Sequence, residues 1–215
     1  MIQPPKIEAV LFDYGMVLSA PPDPTARRTM ESIFGVDEPT FQGAYWMFRD
    51  EYDRGTLGGI AYWESISRHL NKPLNEATLS ALIEADIAMW TQPNHAMIEW
   101  AATLQRAGIK TGILSNLGDA MEVGIRKRFP WLQEFSHHTF SHRLGISKPQ
   151  WEIYRRAADG LDIPMSRILF VDDKEENIAA ARSVGMVAMQ YTSHDEFLRE
   201  MHRLGLDNLL SAATA

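Results

Sequence analysis

The run Ala9-Val10-Leu11-Phe12 is uninterrupted apolar sequence, and it ends on a carboxylate, Asp13, with a glycine two residues later, Gly15. A short apolar run bounded by turn residues predicts a buried strand. Open parallel sheets bind ligands at the C-terminal ends of their strands, which is where this strand places an acid. Packing alone asks for no acid there. Asp13 by itself is accounted for as the cap of a turn, so a chemical role requires partners from elsewhere in the chain.

The following segments define those partners. Pro21, Pro22 and Pro24 interrupt regular structure after Leu18. From Thr25 to about Trp90 the pattern is helical. Phe41, Tyr45, Phe48 and Tyr52 share one helical face, and Gly55 ends that helix. Ile60, Trp63, Ile66 and Leu70 mark a second helix, closed by Lys72-Pro73, and Asn75 caps a third through Leu79, Leu82 and Ile83. Asn94 is placed to cap a helix carrying Met97, Ile98, Ala101 and Leu104, which Gly108 ends.

Beyond it, strands and helices alternate. Strands are expected over Ile109–Leu114, Phe135–Ser141, Arg167–Val171 and Val187–Tyr191. Helices are expected over Asp119–Phe129, Gln150–Ala158 and Glu175–Val184, with a last one capped by Ser193 and Glu196 and running to Leu204. The fold class this predicts is α/β, a three-layer Rossmann-like parallel sheet core with an inserted all-helical cap. The core takes residues 1–15 and 94–215, and the cap residues 16–93.

The totals narrow the function. A length of 215 residues suits one large domain or a core with a smaller insert. The net charge of −7 argues against a general nucleic-acid binder. The chain has no cysteine, which excludes disulfides and thiolate metal sites and suits a cytoplasmic setting. The first six residues carry two prolines and no signal-peptide core, and no run approaches the ~18 apolar residues of a membrane span. A small-molecule substrate is expected, with no nucleic acid or membrane partner. The oligomeric state is not legible.

Right-handed crossovers put all the strand C-termini on one edge. That edge gathers Asp13, then Ser115-Asn116, then Lys148-Pro149, then Asp172-Asp173 with Asn177 a helical turn on. Three acids facing one crevice repel one another unless a cation lies between them. Oxygen donors suit Mg²⁺. Lys148, Ser115 and an amide are equipment for holding a phosphoryl group. No Walker-type glycine-rich loop is present.

The order Phe-Asp-x-x-x-Val-Leu, Leu-Ser-Asn, Lys-Pro and Phe-Val-Asp-Asp-x-x-x-Asn resembles the haloacid dehalogenase-like (HAD) hydrolase superfamily, of the phosphatase type with a helical first-position cap. The resemblance covers nearly the whole chain. It implies a hydrolase with Asp13 as the nucleophile that forms an aspartyl-phosphate. It implies Mg²⁺ held by Asp13, Asp173, the Gly15 carbonyl and Asp172, directly or through a water. Ser115 and the amide of Asn116 would hold phosphoryl oxygens, Lys148 would neutralise charge, and Asn177 would orient its neighbours. The implied substrate is a small phosphomonoester, with sugar phosphates among the candidates.

One position departs from the pattern. Phosphatases of this family usually carry a second aspartate two residues after the nucleophile, and here that residue is Gly15. A positioned acid is worth ~10²–10⁴ in rate. The departure keeps two other readings open, a 2-haloacid dehalogenase-type hydrolase and a weakly active scaffold with a binding role. The adjacent acids Asp172-Asp173 favour the metal-dependent route. In the cap, Tyr45, Trp46, Arg49, Tyr52 and Arg54 are candidates to face the substrate, against the simpler view that the aromatics are cap core. His137, His138 and His142 read as structural, with only His142 close in sequence to Lys148.

Overall fold

The computed structural model describes residues 6–210. The start of the N-terminal stretch expected to lack a leader, and residues 211–215 of the expected core, lie outside them. Five strands, β1 (Ala9–Phe12), β2 (Lys110–Ser115), β3 (His137–Phe140), β4 (Ile168–Asp172) and β5 (Val187–Gln190), form one parallel sheet in the order β3-β2-β1-β4-β5. The order reverses at β1, with β2 on one side and β4 on the other. A crevice opens at such a switch point, and Asp13 lies on it.

Alternate residues of β1 serve opposite faces of the sheet. Val10 and Phe12 pack on one side against Met97, Trp100 and Leu104 of α6 (His95–Arg106), Met121 and Ile125 of α7 (Asp119–Arg128), and Phe197 of α11 (His194–Arg203). Ala9 and Leu11 pack on the other, against Ile153, Tyr154 and Leu161 of α9 (Trp151–Leu161) and Ile178 of α10 (Glu175–Ser183). Burying each large apolar side chain contributes about 1.5–3 kcal/mol. The core also carries two four-residue helices, α8 (Ser141–Leu144) and α12 (Asp207–Leu210).

Between β1 and α6 stand five helices, α1 (Pro24–Phe34), α2 (Glu38–Met47), α3 (Arg49–Arg54), α4 (Gly59–Leu70) and α5 (Glu76–Met89). They form the helical cap. It buries a core of its own, with Met30, Phe34, Phe41, Tyr45, Tyr62, Trp63, Ile66 and Leu82. The chain leaves and re-enters the sheet domain along one seam. Ser19 bridges Pro93 antiparallel, the Ala20 amide donates to Gln92 (2.7 Å), and the Asn94 amide donates to Leu18 (2.9 Å).

Several local expectations are corrected. The proline cluster interrupts regular structure over residues 20–23, as expected, but not at Pro24 itself. Pro24 opens α1 at a first-turn position, where its missing N–H costs nothing, and the Asp23 side chain accepts from Thr25 N (2.8 Å). The helix expected from Phe41 through Tyr52 is two, broken at Phe48 (φ −108°, ψ 4°). No glycine or proline between residues 44 and 54 signals the break. Tyr45 and Tyr52 both stay in the cap core, and Tyr52 also reaches the sheet domain, its hydroxyl accepting from Met121 N (3.3 Å). The Arg49 side chain, lying over both rings at 5.2 and 5.3 Å, joins the two helices.

The Asn75 cap forms as a full capping box with Thr78. Asn94 does not cap α6; its amide donates to Val17 O (2.8 Å) and Tyr191 Oη (2.9 Å), tying the seam to β5. At Ser193 only the half of the capping box on Glu196 N forms (3.2 Å), because the Glu196 carboxylate pairs with Arg199.

Candidate active site

A cleft of about 490 Å³ lies between the sheet edge and the cap. Asp13, Gly15, Ser115, Asn116, Lys148, Asp173 and Asn177 all line it from the core side. The strand tips converge as the topology requires.

Asp13 follows β1 directly, its amide held by Val171 O (2.9 Å). Its Oδ1 accepts from Tyr14 N (2.7 Å) and from Lys148 Nζ (2.9 Å). The capping role and the chemical role therefore coexist in one carboxylate. Burial pushes the Asp13 carboxyl up to about 7; Lys148 pulls against this, and the neighbouring Asp172 and Asp173 charges add to it.

Lys148 is 5% exposed. Its Nζ also donates to Asp172 Oδ2 (2.6 Å). Burial disfavours the ammonium, but the two carboxylates outweigh it and keep the pKa above the ordinary lysine value. The side-chain amide of Asn116 fixes the Lys148 backbone at both ends, accepting from its N–H and donating to its C=O (2.9 Å each). That side-chain amide is thereby engaged with the Lys148 backbone.

Asp172 is fully buried. Asn177 Nδ2 donates to both of its oxygens (2.9 and 3.1 Å), and Lys174 N donates to Oδ1 (2.8 Å). Asp173 makes no ion pair among the described residues. Burial and the Asp172 charge raise its pKa. The carboxylate oxygens of Asp13, Asp172 and Asp173 lie within 4.8 Å of one another. Lys148 bonds two of these acids, and the Lys174 ammonium also acts on Asp173. A hard divalent cation fits this donor set.

The backbone after Asp13 is unusual at Met16, not at Gly15. Gly15 has φ −64° and ψ 134°, open to any residue, whereas Met16 has φ 61°. A non-glycine residue in that region costs about 1 kcal/mol or more. The Met16 amide is held by Ser19 Oγ (3.1 Å). A Cβ at Gly15 would meet only Trp90, at 4.0 Å.

The cap candidates divide. Trp46, Arg49 and Arg54 line the cleft. Tyr45 and Tyr52 do not. Tyr45 is buried, donating through its hydroxyl to Asp86 Oδ1 (2.7 Å), and Tyr52 stacks on Tyr62 at 4.6 Å and accepts from Met121 N (3.3 Å). Arg49 is 6% exposed and committed to Asp53 (2.8 Å) and Asp86 (3.5 Å), so it does not reach out to a second anion. Arg54 pairs with Asp50 (2.9 Å).

Sequence reasoning missed Asp50, Asp53, Trp90 and Lys174 as lining residues. The spacing of Arg49 and Asp53, four residues apart on a helix, was the signal available for Asp53. His142 faces Glu122 (2.8 Å), not Lys148, and His138 Nε2 contacts Leu132 O (2.8 Å).

Residues 17–185 match the haloacid dehalogenase-like hydrolase family. Bifunctional epoxide hydrolase 2 of Sus scrofa is 30% identical over 121 residues, which is 52% of this chain and only 21% of that protein. The sesquiterpene phosphatase astK of Aspergillus oryzae is 37% identical over 160 residues, 72% of this chain and 78% of the relative. A HAD family enzyme of Bacteroides thetaiotaomicron, bt-2542, solved with magnesium and inorganic phosphate, superposes with a TM-score of 0.73 at 20% identity, covering 87% of this chain and 96% of its own. Among the described residues, no helix is long and apolar enough to cross a membrane. The match over residues 17–185, with the sheet order and the acidic strand tips, makes this chain a member of the haloacid dehalogenase-like hydrolase family.

Proposed function

We propose that the protein is a Mg²⁺-dependent phosphomonoester hydrolase acting through an aspartyl-phosphate on Asp13, with residues 16–93 as the cap that covers the substrate. The observation that carries this reading is the buried cluster in which Lys148 bonds both Asp13 (2.9 Å) and Asp172 (2.6 Å) while Asp173 beside them makes no ion pair among the described residues.

Asp13 and Asp173, with Asp172 beside them and the Gly15 carbonyl, would hold the ion. When bound, Mg²⁺ supplies positive charge against the phosphoryl oxygens and keeps Asp13 ionised. The chain's own groups do the rest. Asp13 attacks phosphorus as the ester P–O bond breaks and the alcohol leaves. Ser115 Oγ and the Asn116 N–H hold phosphoryl oxygens, and Lys148 neutralises the charge that develops there. Asn177 fixes Asp172, and Asn116 fixes Lys148, so neither moves during the reaction. Water then attacks phosphorus and frees Asp13.

The substrate is a small phosphomonoester. Met16, Trp46, Trp90, Leu117 and Met121 give the cleft an apolar, aromatic wall, suited to a sugar-ring face or a hydrocarbon group. A dehalogenase needs no cation, and the adjacent acids Asp172-Asp173 weigh against that chemistry.

The test is phosphate release from a panel of phosphomonoesters with Mg²⁺, then with EDTA, then with Asp13→Asn. Release that stops with EDTA, and falls at least ~10³-fold in Asp13→Asn, is expected. Release indifferent to EDTA would defeat the reading.

A further inference from the structure

The core offers no acid where related phosphatases carry one, since that residue is Gly15. The cap faces the same cleft with two aspartates, Asp50 and Asp53. Asp50 has a side chain 70% exposed and is paired with Arg54. Asp53 is also paired, with Arg49 (2.8 Å), but it differs in burial and in how its backbone is anchored.

Its side chain is 17% exposed. Its carbonyl accepts from the Ser141 hydroxyl, and Ser141 Oγ accepts in turn from Leu117 N (3.0 Å). Leu117 follows Ser115 and Asn116. Two hydrogen bonds therefore tie Asp53 to the loop expected to hold the phosphoryl group. The seat is close-packed around it. A Cβ on Gly55 would lie 2.3 Å from the His142 carbonyl oxygen, and one on Gly118 would lie 2.1 Å from the Tyr52 ring. The end of α3 thus rests backbone to backbone on the core.

We propose that Asp53, reaching the cleft from the cap, is the general acid and base that Gly15 cannot be. This rests on the phosphatase reading above. In the first half-reaction the protonated Asp53 gives its proton to the ester oxygen as the P–O bond breaks and the Asp13 Oδ–P bond forms. In the second, the Asp53 carboxylate takes a proton from water as the water oxygen bonds to phosphorus and the Asp13–P bond breaks. Alcohol and phosphate leave, and both aspartates return to their starting states.

The electrostatic setting supports the role. Burial raises the Asp53 carboxyl to about 6; Arg49 opposes the rise and Asp86 adds to it, with Lys174 pulling weakly down from the core side. The other charged or titratable neighbours are Asp50 and Arg54 on its own helix, Tyr45, Tyr62, and His142 of α8, whose ring is turned to Glu122. An acid near 6 exchanges protons readily at neutral pH.

The experiment compares kcat/KM for an alkyl and an aryl phosphomonoester, with Mg²⁺, in wild type, Asp53→Asn, and Asp53→Asn combined with Gly15→Asp. An alkoxide leaves only when protonated, whereas an aryloxide needs little help. Asp53→Asn is expected to lose about 10²-fold on the alkyl ester and about tenfold less than that on the aryl ester. It is also expected to erase a limb on which wild-type alkyl turnover falls as pH rises through about 6.

Gly15→Asp, for which the backbone and the space are open, should restore alkyl turnover in the Asp53→Asn background. Equal losses on both esters, or no rescue, would overturn the assignment of Asp53 and leave the phosphatase reading standing. Wild-type silence toward the aryl ester would overturn both.

Discussion

The two walls of the cleft are built differently. On the sheet side the ionisable groups are bonded to one another and to rigid strand tips. Asp13, Asp172 and Lys148 form a buried triad, each with a main-chain or amide anchor. On the cap side the buried charges, Arg49 with Asp53 and Asp86, are wrapped in the Tyr45 and Tyr52 rings and serve the cap's own packing. The first wall has charge left over for a ligand. The second consumes nearly all of its charge internally and offers the ligand aromatic surface and one carboxylate. The topology-fixed wall thus holds the phosphoryl and metal groups, while the packing-fixed wall adds aromatic surface and the single carboxylate of Asp53.

The sharpest way to break this comparison is to remove the cation on the sheet side. Lys148→Met leaves two buried carboxylates facing each other. It should lower turnover by about 10²–10³-fold. It should also cost about 3–5 kcal/mol of stability in the absence of divalent ion, because breaking a buried pair strands its partners. Turnover assays and urea midpoints with and without Mg²⁺ would measure both. A variant as active as wild type would put the chemistry elsewhere.

The matching change on the cap side is Arg49→Met. It should destabilise by about 3 kcal/mol, since it strands Asp53 and Asp86. Mg²⁺ affinity should stay within about twofold, because no sheet-side group is touched. Thermal denaturation and metal titration on the same sample would show it. A large loss of metal affinity would mean that the two walls are not separable.

A smaller effect sharpens the boundary between them. Glu122 on α7 accepts from His142 (2.8 Å), Arg143 (2.7 Å) and Arg126 (2.6 Å) under the seat of α3. Burial works to raise its pKa, but the bonds from Arg143, Arg126 and His142 outweigh this and hold it below 4.5. A folded-state pKa below the unfolded one adds stability above about pH 4.5, and this is lost as pH falls through the folded value. Glu122→Gln should therefore flatten the acid side of the stability profile. An unchanged acid limb would show that the cluster is solvated.

The sheet side was legible in the sequence because Asp13, Ser115 and Asp172 each sit one position after an apolar run. Once Ala9–Phe12 and Arg167–Val171 read as strands, parallel topology left Asp13 and Asp172-Asp173 nowhere to go but one edge. The positions of Tyr45 and Tyr52 were not legible in the same way. They share a helical face with Phe41, and both stay in the cap core, but after the unsignalled break at Phe48 Tyr52 also meets Met121 of the core domain. Asp53 was hidden for a related reason. Its importance comes from Ser141, which is distant in sequence and meets it only when the cap is seated. Asn94 was misjudged as a helix cap because residue type does not tell which acceptor is nearest.

The central claim, that the strand tips bring three acids together around a divalent ion, is tested most directly by calorimetric titration of Mg²⁺ into wild type and Asp173→Asn. One ion bound per chain is expected in wild type, with affinity at least about tenfold weaker in Asp173→Asn. No binding to wild type, or binding that Asp173→Asn leaves unchanged, would contradict it.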